Sequence, residues 1–298
     1  MATGSDKKQL RLFTVDAFAA QAFAGNPAAV CLLDFDTDVD DVTLQNIAVE
    51  MNRTAGFVRP LNAKDDHKTA RRLGLRWFTV AKELNLCGHA TLASAAVLFY
   101  KLGNPHQTVT FCTLSGDLTV SRDGEYLTMD FPVGLTQQKK QADYTELIAA
   151  LGDEPGVEEV RLCSALSYLM VRLKDGWNRQ QFESWRPDIA RLERSVRGVL
   201  VVVVTTRGSG QQGYVDQAGT PYTFVSRCFA PWINIPEDPV TGSAQTILAQ
   251  YWSQQLEQTE FYTRQCSSRG GEVRLRLEGD RVKMSGQATI VLDATLHL

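Results

Sequence analysis

The chain has 298 residues, 44% hydrophobic and 22% charged, with a formal net charge of −3. That balance belongs to a folded globular protein of one large or two medium domains. It gives no basic footprint for nucleic acid, and no apolar run approaches the ~18 residues of a membrane span. The expectation is a cytoplasmic protein that engages neither nucleic acid nor membrane.

Six cysteines, Cys31, Cys87, Cys112, Cys163, Cys228 and Cys266, are scattered with no CxxC pair. They read as thiols kept reduced rather than as staples. The four histidines, at 67, 89, 106 and 297, include no pair at metal-ligand spacing, so no metal site is expected.

The first residues, MATGSDKKQ, read as a polar leader. Leu10–Asp16 alternates and is β-rich, a first strand. Gly25-Asn26-Pro27 is a turn signal before a second strand at Ala28–Leu33. Asp40 or Asp41 can cap a helix over Val42–Met51, whose Val42, Leu44, Ile47 and Ala48 suit one face. Arg53–Pro60 turns into a short strand, and Leu73–Thr79 is strongly strand-like.

The stretch Asn85–Tyr100 then stands out. Ala90–Phe99 carries no charge, and Ala93, Ala95 and Ala96 are small. A surface helix would show a polar face. This one reads as a buried core helix over residues 88–101, with backbone N–H groups and the positive end of its dipole exposed at Gly88-His89. Such a start is a natural anion site.

Three short strands follow, Thr108–Thr113, Gly116–Ser121 and Tyr126–Phe131, with a hairpin signal at Asp123-Gly124. Pro132–Gln141 reads as a linker, giving an N-terminal lobe at 10–132 and a C-terminal lobe at 133–298 whose last strand can return to the first lobe. In the second lobe Asp143–Leu151 is a helix, and Val160–Leu162 and Tyr168–Leu173 are strands. Trp177–Leu192 is helical with a break at Pro187, and Gly198–Thr205 and Pro221–Phe229 are strands. Glu237-Asp-Pro-Val-Thr-Gly-Ser-Ala244 then opens a second weakly charged helix over 241–254. Glu272–Leu277, Arg281–Met284 and Thr289–Leu292 close the chain as short strands. Strand, glycine turn, neutral helix and short strands thus occur twice, half a chain apart, as a duplicated unit.

If the two helix starts share one cleft, Cys87, Gly88 and His89 would face Asp238, Thr241, Gly242 and Ser243. Two sets of helix N–H groups would hold a carboxylate or a developing enolate, and His89 would move a proton near neutral pH. Each residue also has a plainer reading. His89 can cap a helix, Cys87 can be a small buried hydrophobe, and Asp238, Thr241 and Ser243 can be caps. A serine hydrolase is a poor fit, since Ser243 lacks a GxSxG elbow.

At these motifs the sequence resembles the PhzF-like, phenazine biosynthesis-like family. The stretches that carry the resemblance are Asp16-Ala-Phe, Gly25-Asn-Pro-Ala-Ala-Val30, Gly74-Leu-Arg-Trp-Phe-Thr79 and Cys87-Gly-His-Ala-Thr91. Phe229-Ala-Pro-Trp232, Asp238-Pro-Val-Thr-Gly-Ser-Ala244 and Gln265-Cys-Ser-Ser-Arg-Gly-Gly-Glu272 complete them. The resemblance implies an α+β, diaminopimelate-epimerase-like fold of two pseudo-symmetric lobes, each a curved, mostly antiparallel sheet around a central buried helix. It implies a cofactor-independent isomerase or epimerase of a small carboxylate, needing neither cofactor nor metal. His89 and Asp238 would be its acid/base groups, with Asn26, Cys87, Gly88, Thr241, Gly242 and Ser243 around the substrate. A homodimer is implied as well.

One departure matters. Relatives carry an acid/base glutamate in a Ser-Glu-Thr-Ala-Phe segment after Met-Asn. Here Met51-Asn52 is followed by Arg53-Thr54-Ala55-Gly56-Phe57, without the glutamate. The nearest carboxylate, Glu50, precedes Met51. Val80 stands where relatives usually have proline, a structural difference. The missing glutamate sets an alternative beside catalysis: a non-catalytic binding or scaffold protein of the same fold. The vertebrate branch, which this chain resembles most, is named for a WD-repeat partner.

Overall fold

The computed structural model describes residues 8–152 and 156–298; the expected polar leader lies, as far as Lys7, outside them. Backbone contacts divide the chain into two compact units. One is the chain up to Asp130 together with Gly286–Leu298, and the other is Phe131–Ser285.

The first unit is built from β1 (Gln9–Ala17), β2 (Asn26–Leu32), α1 (Asp41–Glu50), β3 (Ala55–Pro60), β4 (Arg72–Phe78) and the two-residue β5 (Glu83–Leu84). They are followed by α2 (Gly88–Ala96), β6 (Thr108–Thr113), β7 (Gly116–Asp123) and β8 (Tyr126–Pro132). In the second unit come β9 (Gln137–Lys139), α3 (Thr145–Leu151), β10 (Val157–Cys163), β11 (Tyr168–Leu173), α4 (Arg179–Ser184) and α5 (Ile189–Ser195). It continues with β12 (Val201–Arg207), β13 (Phe224–Ala230), β14 (Ile235–Asp238), α6 (Gly242–Leu256), β15 (Glu260–Gln265), β16 (Gly271–Glu278) and β17 (Arg281–Gly286). The last strand, β18 (Ala288–His297), pairs antiparallel with β1 in the first unit.

Within the first unit the strands run β18–β1–β2–β3–β4–β6–β7–β8, all antiparallel except β2–β3 and β4–β6. Within the second they run β9–β10–β11–β12–β13–β15–β16–β17, all antiparallel except β11–β12 and β13–β15. The parallel pairs fall at the same two places in both orders. In each unit a short strand, β5 or β14, doubles back antiparallel on its predecessor immediately before the central helix. The repeat read from the sequence is therefore a repeat of topology. The reading did not include β5, β14 or β15, it took Pro132–Gln141 as a linker where β9 pairs with β10, and it ended the last strand at Leu292, where β18 runs on to His297.

Strand alternation decides what β3 touches. Ala55 and Phe57 join Leu44, Ile47 and Ala48 of α1 in one core cluster. Gly56, between them, faces α2, where a Cβ would stand 2.8 Å from Ser94 Oγ. Helix α1 starts on Asp40, whose carboxylate accepts the Thr43 N–H at 2.8 Å. Helix α2 is buried from Ala90 to Ala96. Its two hydroxyls are turned onto its own backbone, Thr91 donating to Cys87 O at 2.6 Å and Ser94 to Ala90 O at 2.7 Å. That spares the apolar surroundings an unmet polar group. The helix continues as a π turn over Val97–Lys101, closed by Leu102 N–H to Val97 O at 2.9 Å, and Lys101 pairs with Asp293 of β18.

In the second unit α3, α4 and α5 cover one face, with Leu147, Phe182 and Leu192 meeting Val202, Val204 and Phe229. The interruption expected at Pro187 separates α4 from α5. Helix α6 anchors by Trp252, which stacks on Phe224, lies beneath the Arg172 guanidinium and donates to Thr205 Oγ1 at 3.0 Å.

The approach of β3 to α2 is testable. Gly56→Val should destabilise the protein by about 1–3 kcal/mol, the usual cost of overpacking. Adding Ser94→Ala should recover part of that loss. Urea unfolding midpoints of the single and double variants measure both effects.

Candidate active site

The first cluster forms at the start of α2. Cys87 occupies the N-cap position with extended backbone, φ −148° and ψ 104°, and its side chain makes no capping hydrogen bond. A thiol is a weak partner for a helix N–H. Instead its Sγ lies 3.4 Å from Nδ1 of His89, in the first turn of the helix after Gly88. Cys87 is buried and the His89 ring partly accessible. Protein nonetheless surrounds the ring closely enough that desolvation pushes its pKa from 6.5 down to about 4. At neutral pH the imidazole is uncharged, with one nitrogen to give a proton and the other to take one.

Asn26 is buried and opens β2, one of the strands packed on α2. It is the first residue of the strand rather than part of a turn. The turn lies before it, where Gly25 takes φ +66° because a Cβ would collide with Ala17 O. Glu50 is exposed in the last turn of α1, which packs on the face of β3 opposite to α2. No acid/base carboxylate occupies the segment that follows. Asn52 takes φ +50°, the Arg53 Nε donates to Met51 O at 3.0 Å, and Gly56 brings bare backbone against the helix.

The second cluster forms at the start of α6. Strand β14 lies against β13 with Cys228 opposite Asp238. Alternation sends Glu237 one way, to a two-pronged pair with the buried Arg227 at 2.7 and 2.8 Å. Asp238 goes the other way and accepts the Thr241 hydroxyl at 2.5 Å. Thr241 is the N-cap residue of α6, with no side-chain cap bond, and Gly242 and Ser243 are the first residues of the helix. The structure thus brings Asp238, Thr241, Gly242 and Ser243 together.

Two further residues belong to this cluster and were not read as site residues. Tyr168, at the head of β11, has its hydroxyl 2.9 Å from Ser243 Oγ. Gln265, fully buried at the end of β15, accepts the Thr241 N–H at 2.8 Å and donates to Asp238 O at 2.7 Å. Nothing in the local sequence marks Tyr168, whose partner is 75 residues away. Gln265 opens the stretch to Glu272 noted in the sequence, but its role depends on a strand the sequence did not reveal. Among the described residues no three His, Cys, Asp or Glu side chains gather as metal ligands.

One cluster sets a neutral imidazole beside a helix start without a side-chain cap, and the other sets a carboxylate bonded to a hydroxyl beside a second such start. The family model for phenazine biosynthesis-like protein (PhzC-PhzF) matches residues 15–294, and the chain belongs to that family. It is 45% identical to phenazine biosynthesis-like domain-containing protein 1 of Mus musculus, over 97% of this chain and 99% of the mouse protein. It is 40% identical to an uncharacterized isomerase of Halalkalibacterium halodurans, over 96% of this chain and 98% of that one. A crystal structure of a PhzF-family protein from Enterococcus faecalis superposes with a TM-score of 0.83 at 33% identity, covering 98% of this chain and all of that one. A hydroxyproline epimerase from Agrobacterium vitis shares the fold, with a TM-score of 0.55 at 13% identity. The fold is therefore the α+β, two-lobed, epimerase-like fold the sequence suggested.

The depressed His89 pKa predicts a stability profile. Between about 4 and 6.5 the unfolded chain binds a proton at this histidine and the folded chain does not. Stability is full above pH 6.5 and falls as the pH drops through that window. His67, also lowered by burial, adds to the same slope. His89→Gln should flatten the dependence of the urea midpoint on pH between 6.5 and 4. The His89 ring resonance in the wild-type protein should titrate below pH 5.

Proposed function

We propose that the protein is a cofactor-independent isomerase or epimerase of a small carboxylic acid. One group removes a proton from the carbon beside the carboxylate, the charge spreads onto the carboxylate oxygens, and the proton returns to the opposite face or to another carbon of the same molecule. No electron is gained or lost overall. His89 and Asp238 handle the proton, and the N–H groups at Gly88 and at Gly242-Ser243 hold the oxygens. Asn26 and Cys87 accompany the first set of these groups, and Thr241 the second.

One observation carries the reading. Of the surface helices, α1, α4 and α5 are capped by side chains, from Asp40, Asn178 and Asp188, while α3, whose N-cap Tyr144 makes no side-chain bond, follows directly on a 3-10 turn at Gln141–Tyr144. The N-cap residues of the central helices α2 and α6 make no such bond. An uncapped helix start keeps its orphan donors for a ligand. The family membership and the relatives named isomerases support the same class.

The Arg53–Phe57 segment, without the family's glutamate, favours a second reading, in which the fold is kept for binding a protein partner, a WD-repeat protein in the vertebrate branch, and the chemistry is lost. Loss of a general acid or base typically costs ~10²–10⁴-fold in rate, so turnover in the first reading is slow.

Incubation of the protein with a panel of small carboxylic acids in D₂O, followed by NMR, separates the two. Exchange of an α-proton, reduced ~10²-fold or more by His89→Ala or Asp238→Asn, is the expected result. Absence of exchange for every acid, together with a stable complex with a WD-repeat protein on a sizing column, selects the second reading.

A further inference from the structure

The start of α6 holds a contradiction between residue and role. Threonine is a good N-cap residue, and Thr241 has the extended backbone of one, φ −105° and ψ 96°. Its hydroxyl should accept from the N–H of Ser243 or Ala244 and close the helix. It does not: the Ala244 N–H is taken by Thr241 O at 3.2 Å, and the hydroxyl is turned toward Asp238 and the Gln265 amide instead of toward the Ser243 N–H. The hydroxyl donates to Asp238 Oδ2 at 2.5 Å, and the backbone N–H donates to Gln265 Oε1 at 2.8 Å. The Gln265 amide also donates to Asp238 O at 2.7 Å and lies 3.3 Å from the Thr241 hydroxyl. A closed ring of contacts joins Asp238, Thr241 and Gln265.

Gln265 is well placed to hold that ring. It has no exposed surface, and its backbone is fixed between Ser226 of β13 and Gly271 of β16. The Cys228 thiol donates to its Oε1 at 3.6 Å. Ser267, two residues on, donates to Pro239 O at 2.8 Å and secures the middle of the same turn. A buried amide with this many partners orients its neighbours strongly, since any rotation leaves donors unmet at ~1–3 kcal/mol each.

We propose that Gln265 is a positioning residue of the active site: with Asp238 it holds Thr241 away from its capping position and so keeps the first N–H groups of α6 available to a ligand oxygen. This rests on the reading that those groups take an oxyanion. Gln265 itself does not touch the ligand. Its effect is to prevent the helix from satisfying itself.

The test uses full-length protein and two readouts: amide hydrogen exchange at Ser243, and binding of 2-furoate, a planar carboxylate, followed by the Gly242 and Ser243 amide shifts. Gln265→Met removes the amide and all of its hydrogen bonds at similar length. It should let Thr241 cap the helix, slowing exchange at Ser243 about fivefold, the size of an ordinary cap, and weakening 2-furoate by a similar factor. Adding Thr241→Val should reverse the slowing. Unchanged exchange in folded Gln265→Met, or no reversal in the double variant, overturns the proposal. If Gln265→Met does not fold, Thr241→Val alone decides. Exchange at Ser243 should stay at the wild-type rate, and a rise of about fivefold would show that the hydroxyl caps the helix after all. If wild-type protein binds no 2-furoate but exchange follows this pattern, the functional reading fails and the positioning role of Gln265 stands.

Discussion

A helix that begins inside a protein must do something with the N–H groups that have no carbonyl behind them. The surface helices α1, α4 and α5 spend theirs on the side chains of Asp40, Asn178 and Asp188. The two central helices cannot, for different reasons. At α2 the N-cap side chain is a thiol, turned toward His89. At α6 it is a threonine whose hydroxyl is committed to Asp238. Leaving a buried donor unmet costs about 1–3 kcal/mol, so both starts favour any oxygen that arrives. The neutral helix bodies follow from the same constraint. Small uncharged residues let strands close on α2 from several sides, and Gly56 is where that closure is tightest.

The strands supply the polar groups by alternation. Glu237 and Asp238 are neighbours in sequence and face opposite ways. One locks β14 to Arg227, and the other reaches the start of α6. The same rule explains why Glu50 does not stand in for the family's glutamate. It rides on the helix that covers the Ala55 and Phe57 face, while Gly56 faces α2.

Much of the fold was legible because it is written in local chemistry. The absence of charge from Ala90 to Phe99 marked α2, the cap at Asp40 marked α1, and Asp123-Gly124 marked the β7–β8 hairpin. The repeat was visible as a plan, and the matched strand orientations give it a structural form. Other features left no local mark. Strand β14 is short and crosses Pro236, and β15 is six residues in which buried Phe261, Thr263 and Gln265 alternate with polar or half-exposed neighbours. Their positions are set by pairing with β13, a contact between distant parts of the chain. Tyr168 and Gln265 entered the site by that route.

The most direct measurement is a crystal structure of the protein with a small planar carboxylate bound. A carboxylate oxygen should lie within ~3 Å of the backbone N–H groups at Gly88-His89 or at Gly242-Ser243, with the Thr241 hydroxyl still on Asp238. A carboxylate bound at full occupancy elsewhere, with both helix starts closed by their own side chains, would contradict the oxyanion role of the central helices.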